Sequence, residues 1–319
     1  MKMKRLLSLI SILPLISCTS DFVLESKVFY FDTMVNIQIF EEGKAKPSYI
    51  KNILSNIDEL TDNYHQRTVN NVYTLNHTNE PITVDPALYE ILDCSLYAPT
   101  IGATYFNPLC GSLSELWKES LKNEEIPSSE SITQELNKIN SSSITLLGRE
   151  ECRVQRLGDA TIDLGGIAKG YALDVVHSYL SGTKTRKYLI NAGSSSILLG
   201  EKNSNSGYFN VGINDLNGAY LKLKNCFIST SSKSVQGVTI DGVTYSHIVN
   251  PVTGSAINKN DAVIVVSDCG YYSDALSTSM MMNTVEEIKE IENRCDVRTI
   301  VIKDGEIIHS HKYLKVYYH

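Results

Sequence analysis

The stretch TIDLGGIAKGYALD, residues 161–174, decides the predicted fold because a strand, a tight turn and a helix follow one another in it. Residues 160–164 are predicted to form the strand, and apolar residues then recur every fourth position, at Ile167, Tyr171, Val175 and Tyr179, which indicates a helix. The stretch contains neither the G-x-G-x-x-G pattern of a dinucleotide-binding turn nor the G-x-x-x-x-G-K-[ST] pattern of a P-loop. Both of these nucleotide sites are therefore disfavoured.

The glycine pair Gly165–Gly166 falls at the start of the predicted helix, where free N–H groups and the helix dipole favour an anion. Lys169 lies one turn into the helix and is long enough to reach a phosphate held there. A tight structural turn is the commoner reason for a glycine pair. On its own, this stretch therefore predicts a turn more readily than a binding site.

Two further clusters carry side chains of types that bind metals or transfer protons. Asp274 and Thr278 lie four residues apart on a predicted helix, so they share one face, and their oxygens suit magnesium. The structural alternative is that Asp274 caps the helix and Thr278 merely fills it. The third cluster, YSHIVNPVTG (245–254), places His247 beside a Pro/Gly turn, and a lone histidine of this kind is usually structural.

Composition narrows the class of protein. The chain has 319 residues, of which 42% are hydrophobic and 20% are charged, as in ordinary soluble globular proteins. A net charge of −7 disfavours nucleic acid as the main partner. No pair or cluster of cysteines has zinc-site spacing. We predict buried free thiols at Cys94, Cys110, Cys152, Cys226, Cys269 and Cys295.

The N-terminus predicts export. Basic residues at positions 2, 4 and 5 precede an apolar run, residues 6–16, that ends just before Cys18, as in a bacterial lipoprotein signal. We expect a signal peptide over 1–17, lipidation of Cys18, a linker over 18–27 and one domain over 28–319. The alternative is an ordinary secretory signal with an incidental cysteine. In either case the chain is expected to be exported and, when lipidated, membrane-anchored facing the periplasm or outer surface.

Helices are predicted early in the chain and strands late. Residues 28–40 alternate like a strand, Pro47 opens a helix, and Asp85 caps the next helix. From residue 144 onward short strands dominate, and a hairpin is predicted at Asp241–Gly242. This order predicts an α+β fold of mixed or antiparallel sheets with packed helices.

In combination, these clusters and others resemble the ApbE family of FAD:protein FMN transferases. The matching motifs occur in the family's order: FDTMVNI (31–37), NNVYTLN (70–76), GATYFNP (102–108) with a downstream LW (116–117), IDLGGIAKGYALD (162–174), INAG (190–193), ISTSS (228–232), YSHIVNPVTG (245–254) and SDALSTSMM (273–281). They extend over nearly the whole predicted mature chain, so the resemblance implies a single ApbE-like domain.

The resemblance implies a reaction, ligands and site residues. Family members transfer the FMN half of FAD, through a phosphoester, to a Thr or Ser hydroxyl of a target protein, releasing AMP and requiring Mg²⁺. The implied targets are redox subunits of NADH–quinone reductase-type electron-transport complexes. The implied flavin site contains Tyr64, Tyr105, Phe106, Asn107, Asp163, Lys169 and Ile248. The implied magnesium site contains the carbonyl of Gly166 with Asp274, Ser277 and Thr278.

The chemistry of phosphoryl transfer suggests roles for three of these residues. We expect Lys169 to contact the pyrophosphate and Asp274 to anchor the magnesium, because the reaction concentrates negative charge that a lysine and a metal stabilise. We expect His247, or a nearby carboxylate, to accept the proton of the incoming hydroxyl. Asn107 and Asn250 stand where many family members have Asp, which makes the site less negative.

Two alternatives to the transferase remain open from the sequence. A magnesium-dependent FAD pyrophosphatase, giving FMN and AMP, would use the same residues with water as the nucleophile. A lipoprotein that binds flavin without turnover is a different class of protein, and it would need neither the lysine nor the metal.

Overall fold

The computed structural model describes residues 24–43 and 45–319. The predicted signal peptide, residues 1–17, and the predicted lipidation site Cys18 lie outside the described residues. Across the two described ranges, no helix is both long enough and apolar enough to cross a membrane.

An eight-stranded sheet organises the fold. Its strands are β1 Leu24–Tyr30, β2 Thr33–Ile39, β6 Tyr188–Ala192, β7 Ser196–Leu199, β10 Cys226–Ser232, β13 Ala262–Ser267, β14 Arg298–Lys303 and β15 Glu306–Ser310. They are hydrogen-bonded in the order β1-β2-β6-β7-β10-β13-β14-β15. Every neighbouring pair is antiparallel, which confirms the predicted fold class.

Three smaller antiparallel sheets complete the strands. One contains β3 Ile82–Thr83, β4 Ser143–Gly148 and β5 Arg153–Leu157; the second contains β8 Phe209–Gly212, β9 Ala219–Leu223 and β16 Val316–Tyr318; the third is the hairpin of β11 Val238–Ile240 and β12 Val243–Tyr245. Asp241 and Gly242 both have positive φ in this hairpin, so the predicted turn is confirmed.

The helices cover one face of the large sheet. They are α1 Pro47–Thr61, α2 Val72–Asn76, α3 Pro86–Tyr97, α4 Gly111–Lys122, α5 Ser129–Ser141, α6 Ala168–Gly182, α7 Gly270–Met280 and α8 Val285–Arg294. The predicted start of α3 is confirmed, because the Asp85 carboxylate accepts a hydrogen bond from the N–H of Ala87 (2.8 Å).

Strand β13 shows why the large sheet is buried on both faces. All six of its residues are buried. Val263 and Val265 pack into the core on the helical face, whereas Ile264 and Val266 pack into a second core beneath β8, β9 and β16. Because alternate side chains of a strand point to opposite faces, one continuous apolar run fills both cores.

Two sequence predictions need correction. Residues 28–40 form a hairpin rather than one strand, because Phe31 and Asp32 adopt positive φ and turn the chain from β1 into β2. Residues 160–164 join no sheet. Their backbone groups bond instead to loops and side chains: the N–H of Ile162 donates to Asn76 Oδ1 (2.7 Å), for example.

The cysteines agree in part with the prediction of buried free thiols. All six described cysteines are free, and Cys110, Cys152 and Cys226 are buried. The other three, Cys94, Cys269 and Cys295, are only partly buried.

Candidate active site

The site is built where helices α6 and α7 cross at two glycines. A Cβ atom on Gly170 would overlap the carbonyl oxygen of Gly270 and lie 2.8 Å from the Cβ of Asp274. A Cβ on Gly270 would in turn overlap the carbonyl oxygen of Gly170. Glycine is thus required at both positions for the helices to approach this closely.

The two helices cap each other. The N–H of Gly170 in α6 donates to Asp274 Oδ2 in α7 (3.0 Å), and Asp174 in α6 accepts from the N–H groups of Gly270 and Tyr271 (2.7 Å each). Burial, and then the nearby Asp274 carboxylate, raise the pKa of Asp174 to about 6 against the opposing effect of the two N–H groups. The N–H of Gly170, in the first turn of α6, is therefore satisfied by the protein's own Asp274 carboxylate.

Hydroxyl groups gather around the side chain and the backbone oxygen of Asp274. Ser196 in β7 donates to Asp274 Oδ1 (3.2 Å), which fixes the second carboxylate oxygen. The hydroxyls of Ser277 and Thr278 each donate to the backbone oxygen of Asp274 (3.0 and 3.2 Å). Ser231 in β10 lies 3.0 Å from the Ser277 hydroxyl. Four hydroxyls and one buried carboxylate thus share a small volume.

The turn before α6 completes this oxygen cluster. A Cβ on Gly166 would lie 3.3 Å from Thr278 Oγ1 and 3.2 Å from the ring of Phe106. The backbone of Gly166 therefore lies against the Thr278 side chain. The structure brings together all four predicted metal-site residues: Gly166, Asp274, Ser277 and Thr278.

The chemistry of these donors fits a hard divalent cation. Carboxylate, hydroxyl and carbonyl oxygens are the ligands of Mg²⁺, which commonly uses one or two carboxylates together with substrate phosphates. In the described part of the chain, no group of three His, Cys, Asp or Glu side chains is placed to hold a metal. The donor set thus suits a cation shared with a phosphorylated substrate better than a metal held by the protein alone.

The segment from Asp163 to Lys169, which enters the first turn of α6, is held by several hydrogen bonds. Asp163 Oδ1 accepts from the N–H of Gly165 (2.7 Å), and Lys169 Nζ donates to the carbonyl of Gly165 (3.1 Å). The buried guanidinium of Arg156 donates to five backbone carbonyls, those of Leu75, Asn76, Thr78, Gly158 and Ala160. These bonds order the approach to the glycine turn without a regular strand.

Residues 245–254, here called the histidine loop, contact one tryptophan at both ends. Trp117 Nε1 donates to the carbonyl of Gly254 (2.7 Å), and its ring stacks on Tyr245 with centroids 5.5 Å apart. Residues 245 and 254 are the two ends of the YSHIVNPVTG motif. The LW motif is therefore a positioning element for the histidine loop.

His247 lies on the loop that follows β12. Its side chain is exposed to solvent, yet protein atoms surround it closely. Burial among these atoms, then the charges of Lys169 and Lys118, lower the pKa of His247 to about 4. At neutral pH the ring is uncharged, as a proton acceptor must be.

Tyr64 lies at the edge of the site on an exposed loop. Its hydroxyl donates to Glu115 Oε2 (3.0 Å) and accepts from Lys118 Nζ (2.9 Å). The same lysine influences the pKa of His247, so Tyr64 and the histidine loop border one region. Tyr64 keeps 48% of its surface exposed and is free to meet a ligand.

Hydrogen bonds and packing hold the other predicted flavin residues in place. The N–H of Tyr105 donates to Ser279 Oγ (3.0 Å), which ties this segment to α7. Phe106 is buried against Gly166, and Ile248 is buried, with its backbone bonded to Ser246 and Asn258. The N–H of Asp163 donates to the carbonyl of Pro108 (2.8 Å) and so joins the two flavin segments.

Sequence reasoning missed several residues that shape the site. Ser196 and Ser231 bond to members of the oxygen cluster, Asp174 caps α7, and Lys118 bonds to Tyr64 and contributes to the lowered pKa of His247. The ISTSS motif carried a signal for Ser231, because serines two apart in a strand face the same side. Ser229 and Ser231 meet Ser273 and Ser277 in this way.

Comparison with known proteins identifies the family. The chain belongs to the ApbE family, whose model matches residues 31–301. The FAD:protein FMN transferase of Klebsiella pneumoniae (strain 342) is 27% identical over 281 residues, covering 86% of this chain and 87% of that protein. The FAD:protein FMN transferase of Treponema pallidum (strain Nichols) is 26% identical over 218 residues, covering 62% of this chain and 60% of that protein.

The fold agrees with solved members of the family. The crystal structure of the ApbE protein of Thermotoga maritima matches with a TM-score of 0.77 at 25% identity, covering 91% of this chain and 97% of that one.

Proposed function

We propose that this chain is an FAD:protein FMN transferase that moves the FMN half of FAD onto a Thr or Ser hydroxyl of a target protein and releases AMP. The observation that carries the proposal is the group of hydroxyls around Asp274, whose carboxylate accepts from the N–H of Gly170, the residue after Lys169, in a chain of the ApbE family. A protein that only bound flavin would not need a buried carboxylate among hydroxyls at this place.

Magnesium is part of the proposal. The carbonyl of Gly166 and the side chains of Asp274, Ser277 and Thr278 would hold the ion. When bound, Mg²⁺ would supply charge neutralisation at the pyrophosphate oxygens.

The chain's own groups have defined tasks in this reaction. The acceptor hydroxyl oxygen forms a bond to the FMN phosphorus, and the bond from that phosphorus to the AMP oxygen breaks. The uncharged ring of His247 accepts the proton of the hydroxyl. The ammonium of Lys169 stabilises negative charge on the pyrophosphate. Tyr64, Tyr105 and Phe106 offer aromatic surface to the flavin or adenine ring.

One experiment separates this function from its alternatives. The full chain is incubated with FAD, Mg²⁺ and a candidate acceptor domain, and flavin fluorescence on the acceptor is read after denaturing electrophoresis while free FMN and AMP are quantified. A fluorescent acceptor supports the transferase. Free FMN and AMP without labelled acceptor would show a pyrophosphatase, and neither product would show a flavin binder.

Matched variants test the assigned site. Asp274→Asn is expected to abolish labelling, whereas Asp268→Asn makes the same chemical change at an exposed position and is expected to leave labelling intact. Labelling by Asp274→Asn at the native rate would refute the metal assignment.

We also propose that the chain is an exported lipoprotein anchored through Cys18, as the N-terminal sequence suggests. Its targets would be redox subunits of NADH–quinone reductase-type complexes. Cys18→Ser should abolish incorporation of radiolabelled fatty acid into the protein; continued incorporation would contradict the anchor.

A further inference from the structure

The sheet of β8, β9 and β16 has one buried face and one outward face of unusual composition. Along β9, Ala219, Leu221 and Leu223 pack into the second core. Tyr220 and Lys222 alternate with them and point outward. Tyr317 in β16 pairs directly with Tyr220, and the two rings stack with centroids 5.4 Å apart.

Lysines and tyrosines dominate this outward surface. We call it the lysine–tyrosine face; its members are Lys222, Lys224, Lys312, Lys315, Tyr208, Tyr220, Tyr313 and Tyr317. Each of the four ammonium groups lies over a tyrosine ring: Lys222 and Lys315 over Tyr317 (4.6 and 5.1 Å), Lys224 over Tyr208 (4.7 Å) and Lys312 over Tyr313 (4.9 Å).

This face carries a local excess of positive charge. Among the ion pairs formed by residues 24–43 and 45–319, none involves any of these four lysines. The chain as a whole carries a net charge of −7, so the face is a local exception. A concentrated, unpaired positive charge attracts an anionic partner.

A groove opens between the lysines and tyrosines. Its volume is about 310 Å³, and Tyr208, Lys222, Tyr313, Lys315 and Tyr317 contribute to its lining. Tyr313 is 70% exposed at its rim. Such a groove offers aromatic walls and two ammonium groups to a small anionic group.

We propose that the lysine–tyrosine face docks on a bilayer surface that contains anionic phospholipid. Tyrosine rings, which are apolar at one end and polar at the other, favour the headgroup level of a membrane. Lysines beside them are attracted to anionic headgroups. A second copy of the chain is disfavoured as the occupant, because a twofold contact would set lysines against lysines.

The lysine–tyrosine face and the candidate active site lie on opposite sides of the large sheet. The face lies beyond the second core, whereas α6 and α7 pack on the other side of the large sheet. A domain resting on this face turns the candidate active site towards the aqueous phase, where a protein acceptor can reach it. Leu24 lies six positions after Cys18, a reach of about 20 Å, so the proposed lipid anchor would keep the domain near the bilayer.

The test uses the full chain and compares its partition onto phosphatidylglycerol-containing vesicles with that onto pure phosphatidylcholine vesicles. The ratio of the two partition coefficients removes the contribution of the apolar N-terminus. Lys222→Gln/Lys224→Gln/Lys315→Gln is expected to lower this ratio about 100-fold, or about 5-fold per lysine. High salt should lower the native ratio in the same direction.

A matched variant controls for total charge. Lys51→Gln/Lys122→Gln/Lys289→Gln removes the same charge from helices α1, α4 and α8, and it should leave the ratio nearly unchanged. An equal fall in both variants, or no fall in the first, would overturn the proposal.

Footprinting of the unmutated chain gives a second readout. Acetylation of Lys222 and Lys315 should be suppressed on anionic vesicles, while acetylation of Lys122 and Lys289 continues. Protection of the face by polyglutamate but not by vesicles would assign it to an acidic protein and so refute the membrane assignment.

Discussion

Substitution of Gly170 by Ala tests whether the crossing of α6 and α7 holds the site together. In an open helix this change would stabilise the protein, since Ala is favoured over Gly by about 1 kcal/mol. Here the new Cβ would overlap the Gly270 carbonyl oxygen and approach the Asp274 Cβ to 2.8 Å. The helices must therefore move apart.

The magnitude follows from the contacts that are lost. Overpacking of a close contact costs about 1–3 kcal/mol. Lengthening the bond from the Gly170 N–H to the Asp274 carboxylate costs about 1.5–3 kcal/mol more. After the helix-propensity gain, the free energy of unfolding should fall by about 3 kcal/mol. For a domain of this length the unfolding entropy is about 0.6 kcal/mol/K, so the melting temperature should fall by about 5 °C.

Calorimetry of the native chain and two variants provides the assay. Gly182→Ala is the matched control, because it lies at the end of the same helix and its Cβ would meet nothing within 4 Å. This control should be as stable as the native chain or slightly more stable. If Gly170→Ala also melts at or above the native temperature, the steric reasoning is wrong.

Three further changes test other parts of the site. Burial, and then the charges of Lys169 and Lys118, lower the pKa of His247 to about 4, so Lys118→Gln should raise that pKa and move the acidic limb of the kcat/KM profile to higher pH; an unmoved limb would contradict the assignment of His247 as the titrating base. Arg156→Lys can satisfy at most three of five carbonyls, so chemical denaturation should show a loss of about 3 kcal/mol; a loss below 1 kcal/mol would contradict the role of the guanidinium. Trp117→Phe removes the bond to Gly254. The fall in kcat, expressed as an increase in activation free energy, should exceed the fall in the free energy of unfolding; equal changes in the two free energies would contradict the positioning role.

The elements that were predicted correctly from the sequence are those whose structure is set by residues adjacent in the chain. Asp85 caps α3 from the adjacent position, and Asp241–Gly242 sets its hairpin through its own backbone angles. The stretch 160–164 failed as a strand for the opposite reason. Its pattern resembles a strand, but its partners are side chains such as Asn76 and Ser142, which lie far from it in the sequence.

The same distinction between local and distant contacts applies to the candidate site. Asp274 and Thr278 share a helix face, so their proximity could be predicted from a spacing of four. The contacts of Asp174 with Gly270 and of Ser196 with Asp274 join segments 96 and 78 residues apart, and no local pattern encodes them. The resemblance supplied the residues of the site, whereas the mutual capping of the two helices emerged only from the structure.

At positions 107 and 250, where many family members have Asp, the structure shows which contacts the asparagines make. Asn107 Oδ1 accepts from the N–H of Leu109, and Asn250 Oδ1 accepts from the N–H groups of Val252 and Thr253. A side-chain carbonyl is enough for such turns, so Asn replaces Asp there without loss of geometry. Neither Asn carries negative charge, which leaves Asp274 as the carboxylate within the oxygen cluster. We therefore expect the proposed cation to depend strongly on the phosphates of the substrate, so that its affinity rises when FAD is present.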